Sequence, residues 1–414
     1  MIASASAPSL PELRVPTGLT LAGLAAGLAL GMLAQGTSWT PQVLAVATPV
    51  GQLWLRALQM TILPLVCSLL FLGVGQVAGT LRGGRLARRT LAAFALVLLT
   101  GSVLAVTFVP LLLRRYPVPD AALQALSGGH GEQAKAVPGL ADFLQSLVPQ
   151  NVFAAAASDA VLPLVLFVTL LALASRQLAE DQRQMLDGLF RAVAGAMLVI
   201  VGWVLRLAPL GVFALAFALA AQSGLTALGA LAHYVGTVSV IGVLVLLLAY
   251  GLAMLGARLG PHRFARAVFP AQAMAISTQS SLACLPAMLA ASKSLGVRDG
   301  TADFVLPLAV ALFRATSPAM NLAVAIYVAS LSGVELTPAV LATGLGVAMI
   351  TTLGAPSLPG SISFISSIGP IALAMGVPIA PLALLVAVEM LPDIFRTLGN
   401  VTMDVAVTAA LDRD

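Results

Sequence analysis

The chain has 414 residues, of which 59% are hydrophobic and only 9% are charged, whereas a soluble domain carries about 25% charged residues. This composition excludes an ordinary soluble domain and predicts an all-α integral membrane protein. The formal net charge is +5, but the 21 Lys and Arg residues lie in short clusters between apolar segments, so we expect no nucleic-acid partner.

Uninterrupted apolar segments dominate the first 256 residues. A helix needs about 20 apolar residues to cross the hydrocarbon core. Six such segments lie near 17–34, 48–76, 88–113, 152–175, 188–220 and 229–256. Residues 1–16 have no signal-peptide pattern, so we expect a cytoplasmic segment followed by a retained first helix.

The pattern changes after residue 257, where Ser, Pro and Gly interrupt the apolar segments at 277–286, 314–318 and 354–361. Backbone that leaves a helix at membrane depth must be enclosed by protein or line an aqueous cavity, because lipid cannot satisfy its hydrogen bonds. We therefore expect the substrate site in this half of the chain.

Basic residues are distributed unequally between the two sides of the predicted membrane. If the amino terminus is cytoplasmic, the opposite side carries only Arg114, Arg115 and Lys135. The positive-inside rule therefore predicts that both termini are cytoplasmic. This parity requires the segments near 261–295 and 340–375 to enter and leave on the same side, as re-entrant hairpins.

The last predicted helix, about 376–411, carries a polar stripe. Steps of three or four residues place six polar side chains on one face: Glu389, Asp393, Arg396, Thr397, Asn400 and Asp404. Ionisable groups inside a membrane cost several kcal/mol and usually face a cavity or one another. The alternative is an internally paired stripe that only holds helices together.

The residue types in this stripe suit a small anionic solute. A guanidinium binds a carboxylate bidentately, so Arg396 is the expected partner of an anion. Asp393 could receive an ammonium group, and Thr397 and Asn400 could add neutral hydrogen bonds. Asp404 could coordinate a cation or pair with a basic residue. The stripe thus predicts recognition of an acidic amino acid at both charged ends.

The same stripe contains a family motif. Asp393-Ile-Phe-Arg396-Thr397-Leu-Gly-Asn400-Val-Thr-Met-Asp404 reproduces D-x-x-R-T-x-x-N-V-T-x-D, and by it the chain resembles the dicarboxylate/amino acid:cation symporters, the glutamate transporters and their prokaryotic homologues. Further matches, over about residues 17–410, are Met60-Thr-Ile-Leu-Pro64, Ala208-Pro209-Leu-Gly-Val-Phe213, Ser280-Ser281-Leu-Ala-Cys-Leu-Pro286 and Leu358-Pro359-Gly360.

The resemblance implies eight transmembrane helices plus two re-entrant helical hairpins, in a homotrimer of the cell's inner (plasma) membrane with lipid around it. It implies a scaffold domain and a transport domain that moves like an elevator. The scaffold would comprise 17–80 and 135–228. The transport domain would comprise 81–113 and 229–411, with hairpins at about 261–295 and 340–375, span 7 at about 300–331 and span 8 at about 376–411.

The resemblance also implies cation-driven symport of acidic amino acids (glutamate or aspartate) or related C4-dicarboxylates. Substrate would be bound by Ser280, Ser281, Ser317, Ser357, Leu358, Pro359, Gly360, Asp393, Arg396, Thr397 and Asn400. A sodium ion could bind at Asn400 and Asp404. No cofactor is implied beyond the coupling ion, Na+ or H+.

The chain departs from the family at its cation signature, N-M-D-G-T. Counting from Phe304-Val-Leu-Pro-Leu places Phe313-Arg314-Ala315-Thr316-Ser317 there. We expect Arg314 to pair with Asp404 and to lower the number of coupled cations, with Glu389 or Asp404 as a proton carrier.

Two other interpretations of Arg314 remain open. It could snorkel away from the site or stack on an aromatic ring. It could also bind a second carboxylate and favour dicarboxylates without an amine, although such a substrate would leave Asp393 unpaired.

Two other classes of function compete with transport. An enzyme with Ser280 or Ser281 as nucleophile has no plausible base, because the three histidines lie in predicted loops or near span ends; we expect no enzyme. An anion-binding receptor or channel without coupled uptake is the alternative that the altered cation signature supports. Cys67 and Cys284 lie in apolar segments and are expected to be small buried side chains.

Overall fold

The computed structural model describes residues 17–80, 84–118, 148, 150–158, 161–223, 226–352 and 360–413. These residues form helices and connecting turns, which confirms the all-helical class predicted from composition. The first eight helices are α1 (Thr17–Ala34), α2 (Thr40–Gln59), α3 (Ile62–Thr80), α4 (Arg85–Arg115), α5 (Val152–Ala157), α6 (Val161–Ser175), α7 (Glu180–Arg206) and α8 (Ala208–Ser223).

The second half of the chain has shorter helices and more breaks. It contains α9 (Thr226–Leu255), α10 (Pro261–Thr278), α11 (Leu285–Leu295), α12 (Asp299–Leu308), a π-helical segment (Ala309–Phe313), α13 (Ser317–Leu331), α14 (Pro338–Thr352), α15 (Gly360–Ala374), α16 (Leu382–Leu385) and α17 (Met390–Leu411).

Several helical segments in the described part of the chain are suited to a membrane. Five are long and apolar enough to cross it: Thr40–Thr80, Arg85–Arg115, Glu180–Arg206, Gly229–Leu255 and Asp299–Leu331. Shorter apolar helices occur at Gly18–Ala34, Pro163–Ser175, Ala208–Gln222 and Pro338–Thr352. These lengths are those of a multi-pass membrane protein.

Two predicted spans are interrupted where the sequence places a proline. The predicted span 48–76 consists of α2 and α3, which meet at Met60 and Thr61, and Pro64 lies in the first turn of α3. The predicted span 188–220 consists of α7 and α8, with Pro209 at the second position of α8. Proline lacks an N–H group and fits the first turn of a helix, so each proline favours a new helix start.

Helices α1 and α8 pack closely because α1 presents a row of glycines. Gly23, Gly27 and Gly31 recur every four residues, and a Cβ atom added at Gly31 would lie 2.6 Å from the carbonyl oxygen of Phe217. At Gly27 the added atom would lie 2.5 Å from the carbonyl oxygen of Phe213. Small residues at this spacing let the backbones of two membrane helices come into direct contact.

The second half of the chain contains two pairs of packed helices, which lie against a central group of three helices. Helices α10 and α11 pack against each other across a short turn, and α14 packs against α15. Both pairs contact a central group formed by α9, α13 and α17. The predicted hairpins therefore correspond to two pairs of packed helices.

The predicted span 300–331 is broken in its middle. After α12 the chain forms the π-helical segment, Arg314 adopts the left-handed region with φ of 38°, and α13 begins at Ser317. Pro318 occupies the first turn of α13, where its missing N–H is tolerated. Phe313 stacks on Phe94 of α4 with ring centroids 4.1 Å apart, which anchors the break against a neighbouring helix.

The end of the last helix is clamped to the turn before α12. Arg298 places Nε 2.8 Å from Oδ1 of Asp412 and donates through Nη2 to the Asp412 carbonyl oxygen. Burial raises the pKa of Asp412, but hydrogen bonds from Thr301 and Arg298 and the charge of Arg298 outweigh it and hold this pKa below its usual range. The contact joins α17 to the start of α12.

Candidate functional site

Three interrupted parts of the chain meet at one small cavity. They are the turn between α10 and α11, the break before α13, and the first half of α17. The residues that line the cavity are Gln279, Ser280, Ser281, Arg314, Asp393, Arg396, Thr397 and Asn400.

Helix α17 supplies half of this lining. Asp393, Arg396, Thr397 and Asn400 are spaced by three or four residues, so the helical period places them on one face, and each is at most 5% exposed. The structure thus brings these predicted substrate residues together on the cavity wall. The polar stripe faces protein and the cavity, as the cost of ionisable groups in lipid requires.

Arg396 is held by three side chains. Its Nη1 donates to Oδ1 of Asn321 at 2.7 Å and its Nη2 donates to Oε1 of Glu389 at 2.7 Å. Its Nε lies 3.3 Å from Oδ1 of Asp393. A guanidinium has five N–H donors, so one donor on each Nη is left over from these contacts with described residues. A carboxylate can bind to such a pair.

Glu389 accepts a hydrogen bond from Arg396 and is not part of the cavity lining. Its side chain is fully buried, and its second oxygen, Oε2, accepts a hydrogen bond from the Tyr234 hydroxyl at 2.9 Å. Glu389 lies one residue before α17 with helical dihedral angles, φ of −60° and ψ of −23°, and its carboxylate lies on the same face as Arg396. The turn that precedes the helix directs the carboxylate towards α9.

Asn400 is already engaged through its carbonyl oxygen. Oδ1 accepts from the Thr316 backbone N–H at 2.8 Å and lies 2.9 Å from the Thr316 hydroxyl. The Thr316 hydroxyl has one hydrogen and also lies 3.0 Å from the Arg396 carbonyl oxygen, so it donates to one of these two oxygens. The Thr316 N–H thus occupies one lone pair of Asn400 Oδ1, and sodium binding at Asn400 stays a prediction.

Asp404 lies one turn beyond Asn400, outside the cavity lining. It is 1% exposed, and its Oδ1 has no hydrogen-bond partner in the described part of the chain. It forms no ion pair with Arg314 there, contrary to our expectation. A carboxylate buried in this way must bind a proton or a cation, because an unpaired buried charge is strongly unfavourable.

Arg314 lines the cavity together with Arg396. It is partly buried, follows a π-helical segment, and adopts φ of 38° and ψ of 61°. Such a backbone costs a non-glycine residue about 1–3 kcal/mol and is typical of functional sites. Arg314 lies within electrostatic range of Asp393 and Arg396. Its position does not support the alternative in which it snorkels away from the site.

The remaining predicted residues are placed differently. Ser317 is buried at the start of α13, where its N–H donates to the Arg314 carbonyl oxygen at 2.8 Å, and it is not part of the cavity lining. Gly360 begins α15. Ser357, Leu358 and Pro359 lie outside the described residues, so their contribution to substrate binding stays a prediction.

Sequence reasoning missed four residues around the site. Gln279 ends α10 in the left-handed region with φ of 50° and lines the cavity. Asn321 and Thr316 hold Arg396 and Asn400, and Tyr234 holds Glu389 from α9. Asn321 could have been found, because it is an amide on an otherwise apolar helix, one turn after Ser317. Tyr234 had no signal, since an aromatic residue in a membrane helix usually packs.

The sequence of the chain is similar to the sequences of known transporters over most of its length. The sequence model of the sodium:dicarboxylate symporter family matches residues 17–414. The chain is 28% identical over 387 residues to a proton/sodium-glutamate symport protein of Bacillus subtilis, covering 92% of this chain and 88% of that protein.

Two further relatives differ in the substrate that they are named for. A proton/glutamate-aspartate symporter of Escherichia coli is 26% identical over 367 residues, covering 87% of this chain and 83% of that protein. A C4-dicarboxylate transport protein of Laribacter hongkongensis is 24% identical over 372 residues, covering 88% and 82%.

Proposed function

The chain belongs to the sodium:dicarboxylate symporter family, and we propose that it is a cation-coupled symporter of acidic amino acids, glutamate or aspartate, or of related C4-dicarboxylates. The observation that carries this proposal is Arg396, a buried guanidinium on the cavity wall with donors left over from its protein contacts. The family is one of transporters, not enzymes, and we place the chain in the bacterial plasma membrane.

The cavity suits a solute with two carboxylates. One carboxylate would bind to Arg396, and the other would face the polar turn at Ser280 and Ser281, where the Ser280 hydroxyl also accepts from the Ala283 N–H. Arg314 adds a second positive charge to the same cavity. Anions in a low-dielectric site are stabilised most by such preorganised donors and cations.

Both substrate classes fit this charge pattern. A dicarboxylate offers Asp393 no ammonium group to pair with. In the structure Asp393 already lies 3.3 Å from Nε of Arg396, so its charge is compensated without a substrate. Competition of labelled aspartate uptake by succinate measures the preference between the two classes.

We infer that protons are coupled ions and that Glu389 carries them. Glu389 competes with the substrate for Arg396, because both offer a carboxylate to the same guanidinium. Protonation of Glu389 would weaken its hold on Arg396 and strengthen anion binding there. Proton and substrate would then bind cooperatively, which is the thermodynamic requirement for symport.

The altered cation signature supports a smaller sodium requirement. Ala315 replaces the carboxylate of the family's signature and is fully buried, while Arg314 adds a charge that stays positive at all relevant pH values. Together these changes remove one negative charge and add one positive charge relative to the family's pattern. Asp404 retains an unpartnered buried oxygen and is the remaining candidate for a cation or a second proton.

The proposed transport movement follows the family's elevator scheme. Helices α1, α2 and α8 form one packed group, and α4, α9, α13 and α17 pack with both hairpins in another. This division supports a scaffold of 17–80 and 135–228 and a moving domain of 81–113 and 229–411. We further propose that the chain has eight membrane spans, two re-entrant hairpins and cytoplasmic termini, and that it assembles as a homotrimer.

Reconstitution into liposomes tests the proposed function. The wild-type protein and Arg396→Ala are compared for accumulation of labelled aspartate and succinate under separate sodium and proton gradients. Arg206→Ala, an exposed arginine at the end of α7, is the matched control. We expect accumulation by the wild type and the control and none by Arg396→Ala.

The other outcomes each reject the proposal. Accumulation by Arg396→Ala at the wild-type rate would remove Arg396 from the site. Binding without counterflow exchange would indicate an anion-binding receptor, and flux without accumulation would indicate a channel.

A further inference from the structure

Tyr234 of α9 donates a hydrogen bond to Glu389, which in turn accepts one from Arg396. The Tyr234 hydroxyl lies 2.9 Å from Oε2 of Glu389, and Nη2 of Arg396 lies 2.7 Å from Oε1. Tyr234 is fully buried and is not part of the cavity lining. One carboxylate therefore connects a tyrosine outside the cavity with the guanidinium on the cavity wall.

The Tyr234 hydroxyl is held in place by packing. Its ring meets the ring of Tyr327 on α13 edge to face, with centroids 5.4 Å apart. The Tyr327 hydroxyl in turn lies 3.3 Å from the Ala230 carbonyl oxygen and 3.2 Å from Nδ1 of His233. A donor that is fixed by its surroundings needs little reorganisation to stabilise a charge.

The hydrogen bond from Tyr234 favours the charged form of Glu389. Hydrogen bonds to an ionised group are roughly twice as strong as those between neutral groups. A phenol hydroxyl that donates to a carboxylate therefore opposes protonation of that carboxylate. Only the ionised carboxylate forms an ion pair with Arg396, so Tyr234 acts on Arg396 through Glu389.

We propose that Tyr234 is a positioning residue that sets the pH at which Glu389 takes up a proton and releases Arg396 to the substrate. The inference rests on the proposed proton coupling at Glu389. In that coupling, Glu389 is protonated where the substrate binds and ionised where the substrate leaves. Without the Tyr234 donor, Glu389 would stay protonated to a higher pH, and the substrate would remain bound to Arg396 under conditions in which it should dissociate.

The ionisable groups that face Glu389 in the described part of the chain lie on α9, on α17 and near the break before α13. Arg396 and Asp393 belong to α17, and Tyr234 belongs to α9. Arg314, at the break, lies within electrostatic range of Arg396 and Asp393. Helix α16, which precedes Glu389, and α15, which packs on α17, carry no ionisable side chain. Removal of the Tyr234 hydroxyl changes neither the charge of the site nor a side chain of the cavity wall.

Equilibrium binding of labelled aspartate to purified Tyr234→Phe, measured over a series of pH values, tests the proposal. In the wild type we expect the affinity to fall as the pH rises through the range in which Glu389 ionises. In Tyr234→Phe we expect the same fall at a pH about one unit higher, which corresponds to the difference between a charge-assisted and a neutral hydrogen bond. On the acidic side of this transition both proteins should bind aspartate equally tightly, because Glu389 is protonated in both.

The matched control is Tyr327→Phe, which removes the hydroxyl of a neighbouring buried tyrosine and should keep the wild-type transition. A second variant carries a ring-fluorinated tyrosine in place of Tyr234. Fluorine makes the hydroxyl a stronger donor with little change in shape, so the transition should move to a lower pH. This variant decides the question if Tyr234→Phe does not fold.

A transition at the wild-type pH in both Tyr234 variants would overturn the proposal. So would a weaker affinity at every pH without a shift of the transition, because that pattern indicates a structural role. Wild-type binding that does not depend on pH would overturn both this inference and the proposed proton coupling. A pH-dependent wild type with unshifted variants would overturn this inference alone.

Discussion

The charge balance around Arg396 is tested most directly by Glu389→Gln. Glutamine has nearly the same shape and its carbonyl oxygen can still accept from Arg396, but it carries no charge. The variant therefore resembles the protonated state of Glu389. We expect it to bind aspartate and succinate more tightly than the wild type, with an affinity that does not depend on pH around neutrality.

The expected size of this effect follows from the geometry. Glu389 lies 2.7 Å from Nη2 of Arg396, and a substrate carboxylate on the free donors of the same guanidinium would lie about 6 Å from it. Two like charges at about 6 Å repel by about 3 kcal/mol at an effective dielectric constant of about 20. Removal of this repulsion corresponds to a gain in affinity of up to about a hundredfold.

Equilibrium binding of labelled substrate to the purified protein measures this change. Thermal unfolding is followed in parallel, because loss of the carboxylate also weakens the hydrogen bond from Tyr234 of α9 to residue 389. Tyr234→Phe keeps the carboxylate and removes only its hydroxyl donor, so it serves as a control that should retain the pH dependence. Weaker binding by Glu389→Gln in a folded protein, or a pH dependence like that of the wild type, would refute the competition between Glu389 and substrate.

Three further predictions concern other parts of the molecule. Arg314→Met should lower the affinity for succinate by at least about tenfold, as expected for loss of one charge in a partly buried site; unchanged equilibrium binding would show that Arg314 does not act on the substrate. Gly27→Val should destabilise the protein by about 1–3 kcal/mol through the clash with the Phe213 carbonyl oxygen, whereas Gly18→Val, which meets no atom within 4 Å, should keep the wild-type unfolding temperature. Because the pKa of Asp412 is lowered in the fold, its stabilising contribution is complete above about pH 4, the unfolded pKa of an aspartate, and is lost as the pH falls through the lower folded pKa. Unfolding of Asp412→Asn should lack this acid-dependent component, and an identical acid profile in both proteins would contradict the clamp.

Composition and helical periodicity are sufficient to predict the class of protein and the residues of α17 that line the cavity. Long apolar helices follow from composition, because lipid accepts only backbone whose hydrogen bonds are internal. The face of α17 that carries Asp393, Arg396, Thr397 and Asn400 follows from the helical period, and the cost of burying ionisable groups predicts that this face lines a cavity.

The hydrogen-bond partner of each polar side chain, by contrast, follows only from the tertiary structure. The Thr316 N–H donates to the oxygen of Asn400, Asn321 and Glu389 each accept a hydrogen bond from Arg396, and Oδ1 of Asp404 has no hydrogen-bond partner among the described residues. Helical periodicity specifies which face of a helix is polar. The hydrogen-bond partner of a polar side chain, however, often lies on a helix that is distant in the sequence. Partners are selected by packing, because a buried polar group takes whichever complementary atom the neighbouring helix brings within reach.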